Sequence, residues 1–137
     1  MKIEIKTLVN APIAAVWRAW VTPEDIENWN YATDDWCCPK AEVNLQVGRG
    51  FNYRMEAKDG SMGFDFAGVY TKVEENKAIH FELDDQRLVT VAFVETSEGV
   101  EVIETFDAED ENSAAQQRDG WLCILNNFKR YVESKAR

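Results

Sequence analysis

The sequence predicts an α+β fold in which helices cover one side of an antiparallel sheet. Three observations carry this prediction: an alternating N-terminal segment followed by two short helical patterns, a series of short strands between residues 42 and 107, and an amphipathic pattern at the C-terminal end. A length of 137 residues is usual for one domain. We therefore expect a single domain over residues 1–137.

The N-terminal third is predicted to hold one strand and two short helices. Residues 2 to 9 alternate apolar and polar side chains, which is typical of a strand with one solvent-facing side. Beyond Pro12 the apolar residues recur at helical spacing to about Val21. Thr22 and Pro23 have the residue types of an N-cap and a first helical position, so a second helix is expected to begin there.

The middle of the chain is predicted to be a meander of six strands. Residues 30 to 41 show no period and include Pro39, which indicates an irregular connection carrying Trp36. Asp59 and Gly60 form a strong hairpin signal, and the other turns are also short. The predicted strands lie near residues 42 to 46, 50 to 57, 62 to 73, 77 to 83, 87 to 96 and 100 to 107.

A long helix is predicted to close the chain. Ser113 to Gln116 fits a capping box, in which the side chains at the two ends of the motif satisfy each other's backbone N–H groups. Apolar residues then recur every three or four positions, as on the buried face of a helix of about twenty residues. These residues are Trp121, Leu125, Phe128 and Val132.

Five segments together resemble one known superfamily: NAPIAAVWRAWVTPEDIENW, VNLQVGRGFNYRM, GVYTKVEENKAIHFEL, VTVAFVE and DGWLCILNNFKRYVE. The chain resembles the START-like, birch-pollen-allergen-like helix-grip proteins (SRPBCC), within them the branch named for activators of the heat-shock protein 90 ATPase (AHSA1-like). The resemblance implies a seven-stranded antiparallel sheet wrapped around the C-terminal helix, with a cavity gated by the two short helices after strand one. It implies no single activity, because the superfamily includes lipid carriers, receptors, cyclases and co-chaperone domains.

Composition narrows the expected partners. The formal net charge of −10 repels phosphate backbones and anionic lipids, so neither nucleic acid nor a membrane surface is an expected partner. No signal-peptide pattern or membrane-spanning run occurs, and the three cysteines form no even set, so we expect a cytoplasmic protein with free thiols. The single histidine, His80, alternates with Ile79 and Phe81 and is expected to face solvent. Because no second histidine is present and the adjacent Cys37 and Cys38 lack the CxxC spacing of zinc sites, no metal or other cofactor is expected.

Aromatic residues are abundant, with Trp 5, Tyr 4 and Phe 7, and several share one face of their predicted element. They either fill the core or line a pocket for an apolar ligand. Glu104 and Asp65 lie in phase with or beside apolar residues, and Gln117 lies one turn before a tryptophan, so each is a candidate polar contact. The predicted ligand-binding residues are Trp29, Trp36, Phe51, Tyr53, Phe64, Phe66, Glu104, Gln117, Trp121, Leu125 and Phe128.

Three functions fit this pattern. The first is non-catalytic binding of a small hydrophobic or aromatic ligand between sheet and C-terminal helix. The second is a co-chaperone-like interaction with a chaperone ATPase, which would use an exposed apolar patch. The third is a cyclase-like enzyme with Glu104 or Asp65 as acid or base, which requires a buried carboxyl. A monomer or a homodimer is compatible with each.

Overall fold

The computed structural model describes residues 1–135, so the last two residues of the predicted domain lie outside the described part of the chain. Seven strands and three helices follow the predicted order. The strands are β1 (Lys2–Val9), β2 (Trp36–Val43), β3 (Gly50–Ala57), β4 (Gly63–Glu74), β5 (Ala78–Leu83), β6 (Leu88–Thr96) and β7 (Gly99–Asp107). The helices are α1 (Ile13–Val21), α2 (Pro23–Ile26) and α3 (Ala114–Lys135).

All seven strands form one antiparallel sheet in the order β1-β7-β6-β5-β4-β3-β2. Most neighbours are joined by short turns, whereas α1 and α2 link the two edge strands β1 and β2. The inner face of the sheet packs against α3, because every second residue of a strand points to that side. This arrangement confirms the predicted α+β fold with two short helices after strand one.

The predicted boundaries of β2 are wrong. The strand runs from Trp36 to Val43 rather than from 42 to 46, and it occupies the segment expected to be irregular. The pairing with β3 shifts register between Cys37 and Lys40, which is the signature of a bulge. Pro39 is tolerated there because β2 is an edge strand and the bulge removes the need for its missing N–H.

Helix α3 begins with the predicted capping box and is then tied to β1. The Ser113 Oγ accepts from the Gln116 N–H at 3.1 Å, and the Gln116 side chain accepts from the Ser113 N–H at 3.2 Å. Further along, Thr7 on β1 donates to Asn126 at 3.1 Å. The helix therefore lies along the inner side of one sheet edge.

The C-terminal half of α3 is held by the two short helices. Asn127 donates through Nδ2 to the Trp29 carbonyl at 3.0 Å, and Tyr131 hydrogen-bonds to Asp25. The Trp29 indole in turn donates to the Ala19 carbonyl at 2.9 Å. In residues 1–135, no helix combines the length and the apolar composition needed to cross a membrane.

Candidate functional site

A cavity of about 450 Å³ opens between the sheet and the N-terminal half of α3. Its walls come from the inner faces of β3, β4, β5 and β7 and from one side of the helix. On α3 the lining positions repeat with helical spacing, since they lie on a single face. These positions are Gln116, Gln117, Gly120, Trp121, Ile124 and Leu125.

Glu104 is the ionisable group deep in this cavity. The alternating burial of β7 directs Glu104 inward together with Val102 and Phe106. Its register partners are Ile5 on β1 and Val91 on β6, so the carboxyl lies within an apolar sheet face and is 7% exposed. Burial raises the pKa of Glu104 to about 8, because the low-polarity surroundings disfavour the charged form.

Seven aromatic residues form a large part of the remaining wall. Trp121 stacks on Phe106, with ring centroids 3.9 Å apart and planes 9° from parallel. The rings of Phe66 and Trp121 form a T-shaped pair with centroids 6.0 Å apart, and Tyr53 packs beside Phe66. These contacts hold each ring in one orientation, so the cavity presents fixed, flat, apolar surfaces.

The mouth of the cavity is closed on one side by the loop between β7 and α3. The Gln117 amide accepts from the Glu109 N–H at 2.8 Å and donates to the Glu109 and Asn112 carbonyls at 3.2 and 2.9 Å. These three bonds use the hydrogen-bonding capacity of that side chain in fixing the loop. Gln117 therefore shapes the mouth through the backbone of residues 109 to 112.

Gly120 leaves open space in the helix face that lines the cavity. A Cβ added at this position would meet no atom within 4 Å. Glycine in a helix interior costs about 1 kcal/mol relative to alanine, so its presence here weakens the helix while it widens the cavity.

Most of the predicted ligand-binding residues lie together on the cavity, although Phe64 is a rim residue with 49% exposure. Three of the predicted residues lie elsewhere. Phe51 packs in the core against Phe81 and Tyr70, and Phe128 is fully buried. The Trp36 ring centroid lies 5.9 Å from that of Phe64, and Trp36 does not line the cavity. The predicted residues on the cavity are Trp29, Tyr53, Phe64, Phe66, Glu104, Gln117, Trp121 and Leu125.

Asp65, the other carboxyl considered from the sequence, lies on the outer face. It is exposed and its carboxylate lies 3.6 Å from Arg54, its register partner on β3. Strand alternation could have placed it on that face from the sequence, because its two neighbours are both phenylalanines and share the opposite face. Asp65 is therefore excluded from the cavity.

Sequence reasoning missed several lining residues. Met55 continues the inward phase of Tyr53, and Phe81 alternates with the outward His80, so strand periodicity could have identified both. No local pattern marks the others, because they reach the cavity from a turn, from the segment after α2, or from a helix face expected to pack against the sheet. The full set of missed residues is Trp20, Asn30, Met55, Phe81, Arg87, Glu109, Asn112, Gln116, Gly120 and Ile124.

Comparisons with known proteins agree with this architecture. Residues 10–133 match the family model described as "Activator of Hsp90 ATPase homolog 1-like protein". The solution structure of an AHSA1-like protein from Aeromonas hydrophila is 48% identical, with a TM-score of 0.93 over 98% of this chain and 94% of that one. No curated protein matches the chain.

Two further structures extend the likeness. The solution structure of Chr148 from Cytophaga hutchinsonii is 40% identical, with a TM-score of 0.84, over 98% of this chain and 93% of that one. Protein CV1439 from Chromobacterium violaceum shares the fold at 20% identity, with a TM-score of 0.85 and 96% of each chain covered. The match over residues 10–133, together with the two closer structures, places this chain in the family of proteins like the activator of Hsp90 ATPase homolog 1.

Proposed function

We propose that the protein binds a small, largely apolar or aromatic molecule in the cavity under α3, without catalysing its conversion. The observation that carries this proposal is the cavity itself, about 450 Å³ in volume and lined mostly by apolar side chains, seven of them aromatic. Its volume lies within the range of about 300 to 1,000 Å³ that is usual for small-molecule sites. A cytoplasmic protein that sequesters or presents such a molecule fits the composition of the chain.

Gly120 supports the proposal. If this position were selected only for helix stability, a residue with a side chain would be favoured over glycine. The open space beside its Cα is available to a ligand. Trp20, Trp29 and Trp121 also line the cavity, so a bound molecule changes the surroundings of three indole groups that can be observed directly.

The test is a titration with 1-naphthylmethanol, a neutral aromatic probe, followed through the indole N–H signals in NMR spectra. Gly120→Leu is expected to weaken binding by about tenfold or more, because the new side chain occupies the cavity. Cys123→Leu is the matched control, since Cys123 is exposed on the same helix and does not line the cavity. Binding that is absent in the natural protein, or equal in both variants, contradicts the proposal.

A second candidate is contact with a chaperone ATPase, which the family description favours. The hairpin between β3 and β4 exposes Met62 at 64% and Phe64 at 49%, with the Trp36 ring beside Phe64. An exposed apolar cluster of this kind is suited to a protein partner. If this surface stimulates a chaperone ATPase, Met62→Asp abolishes the stimulation and leaves binding of 1-naphthylmethanol intact. An ATPase rate unchanged by the natural protein excludes this candidate.

A further inference from the structure

Within the described residues, Glu104 differs from the other ionisable and amide side chains of the cavity in having no partner. Among residues 1–135 its carboxylate makes no hydrogen bond and no ion pair, and its register neighbours Ile5 and Val91 offer none. No unpartnered side-chain nitrogen or oxygen is sealed away from solvent in this part of the chain, so the carboxylate oxygens are open to the cavity. An isolated buried carboxyl is costly to the fold unless a ligand uses it.

The other polar side chains on the cavity are already engaged within the protein. Asn30 donates to the Met55 sulfur at 3.3 Å, and Arg87 pairs with Asp85 at 2.7 Å. The remainder hydrogen-bond within the loop before α3 or its first turn; they are Glu109, Asn112, Gln116 and Gln117. The Tyr53 phenol also has a side-chain hydrogen-bond partner. Of the ionisable and amide side chains on the cavity, within residues 1–135, Glu104 alone is therefore left without a partner.

The rings around Glu104 favour one sign of ligand charge. The faces of aromatic rings carry negative electrostatic potential and attract organic cations, most strongly when the cation is desolvated. The aromatic side chains that line the cavity include Trp29, Tyr53, Phe66, Phe81 and Trp121. A carboxylate enclosed by such rings has the chemistry of an ammonium site.

The charged and titratable groups around the cavity also favour a positively charged ligand. From β3, Tyr53 faces Glu104, and burial keeps the Tyr53 phenol neutral by raising its pKa. Arg87, beside β6, is held by Asp85, whereas Glu109, after β7, adds a second carboxylate near the mouth. The facing residues of β1, β6 and α3 are apolar: Ile5, Val91 and Leu125. The net charge of −10 also raises the local concentration of cations.

We propose that the ligand is an organic amine, an apolar and preferably aromatic body that carries one ammonium group, and that this ammonium pairs with the Glu104 carboxylate inside the cavity. This inference rests on the ligand-binding function proposed above and specifies its ligand class. A neutral ligand that accepts a hydrogen bond from a protonated Glu104 is the competing class. The two classes respond oppositely to pH.

The sign of the pH dependence follows from the proton on Glu104. Burial raises the pKa of the free carboxyl to about 8, so an amine that needs the carboxylate displaces a proton below that pH. Amine affinity is expected to rise by up to about tenfold per pH unit between about pH 6 and 8, and to fall only where the amine itself loses its charge. A neutral acceptor instead loses affinity as pH rises past 8.

The experiment compares 1-naphthylmethylamine with 1-naphthylmethanol, which have the same ring system and differ in the polar group. Calorimetric titration of the natural protein at about pH 8 is expected to show about tenfold or more tighter binding of the amine, equivalent to about 1.4 kcal/mol. Glu104→Gln, which keeps the shape of the side chain, is expected to remove this preference, so that amine and alcohol bind with similar affinity. Asp65→Asn, a carboxyl change outside the cavity, is expected to leave it unchanged.

Each contrary result has a separate meaning. An alcohol that binds as tightly as the amine overturns the amine inference and leaves the ligand-binding function standing. An amine preference that survives in Glu104→Gln also overturns the inference, because the ammonium then has another partner. If neither probe binds the natural protein at millimolar concentration, both proposals fail.

Discussion

The two halves of α3 meet the same sheet in different ways. In the C-terminal half, Phe128 packs edge-on against Trp20 and Trp29, with ring centroids 5.0 and 4.9 Å away, and no part of Phe128 is exposed. In the N-terminal half, Gly120 and Trp121 face open space. Trp20 of α1 and Trp29, just after α2, enclose Phe128 in the C-terminal half and also form part of the cavity wall. The cavity therefore lies beside the part of α3 that these two tryptophans do not fill.

Phe128→Ala is expected to have the largest effect on stability. Removing a fully buried ring leaves a void among packed aromatics, so the free energy of unfolding should fall by about 3 to 5 kcal/mol. Trp121→Ala in the open half should cost less, about 1 to 2 kcal/mol, because Trp121 is only partly buried and its void joins an existing cavity. Urea denaturation measures both. Equal losses for the two variants would mean that the halves of α3 are packed alike.

Glu104→Gln should flatten the pH dependence of stability. The pKa of Glu104 in the folded protein, about 8, exceeds its ordinary value of 4.5. Folded protein therefore keeps a proton that the unfolded chain releases. The resulting stability is complete below about pH 4.5 and is lost as pH rises to about 8, at up to about 1.4 kcal/mol per pH unit.

The measurement is urea denaturation at about pH 5.5 and 8. The natural protein and the variant are compared for the change in the free energy of unfolding between these pH values, so that the contributions of other titrating groups cancel. Asp65→Asn serves as control, since Asp65 is exposed, and should keep the natural slope. If the free energy of unfolding of Glu104→Gln depends on pH as strongly as that of the natural protein, Glu104 is not the group responsible for this dependence.

Gln117→Ala tests whether the mouth depends on this one side chain. Loss of its three hydrogen bonds to the loop should cost about 1 to 3 kcal/mol and loosen the backbone of residues 109 to 112. Amide hydrogen exchange at Glu109 should accelerate, since its N–H loses its acceptor. Exchange at Asn44 N–H, bonded to the Gly50 carbonyl at the far end of the sheet, should not change.

Gly120→Ala is expected to have the smallest effect, and of opposite sign. Alanine is favoured over glycine in a helix interior, and its Cβ meets no atom here, so stability should increase by about 1 kcal/mol. Thermal unfolding measures the change. A decrease in stability would show that this position is crowded, and the contrast between the two halves of α3 would disappear.

Element order and the orientation of strands could be predicted from the sequence, because two-residue and helical periods directly reflect which face is buried. Glu104 was found in this way, as an acidic residue in phase with Val102 and Phe106. The start of β2 was not found, since Pro39 masks a strand that exists through its edge position and bulge. The period of apolar residues shows which face of an element is buried. It does not show which other elements pack against that face.

The same limit explains the errors in the predicted lining. Phe51 and Tyr53 point to the same side of β3, yet Phe51 is enclosed by other rings and Tyr53 reaches the cavity. Phe128 and Leu125 likewise share one face of α3, yet Phe128 is enclosed by tryptophan rings and Leu125 reaches the cavity. Arg87 carries no signal at all, because a turn residue has no period to read.

The two edges of the sheet also bear on aggregation. An exposed edge strand can add a strand from another molecule, which is how many β-rich proteins form polymers. The bulge and Pro39 interrupt the free side of β2. On β1, the Glu4 and Leu8 carbonyls accept hydrogen bonds from Arg118 and Lys129 of α3. The helix that encloses the cavity thus also shields the opposite sheet edge, so the protein can maintain a curved, open sheet without offering a template for polymerisation.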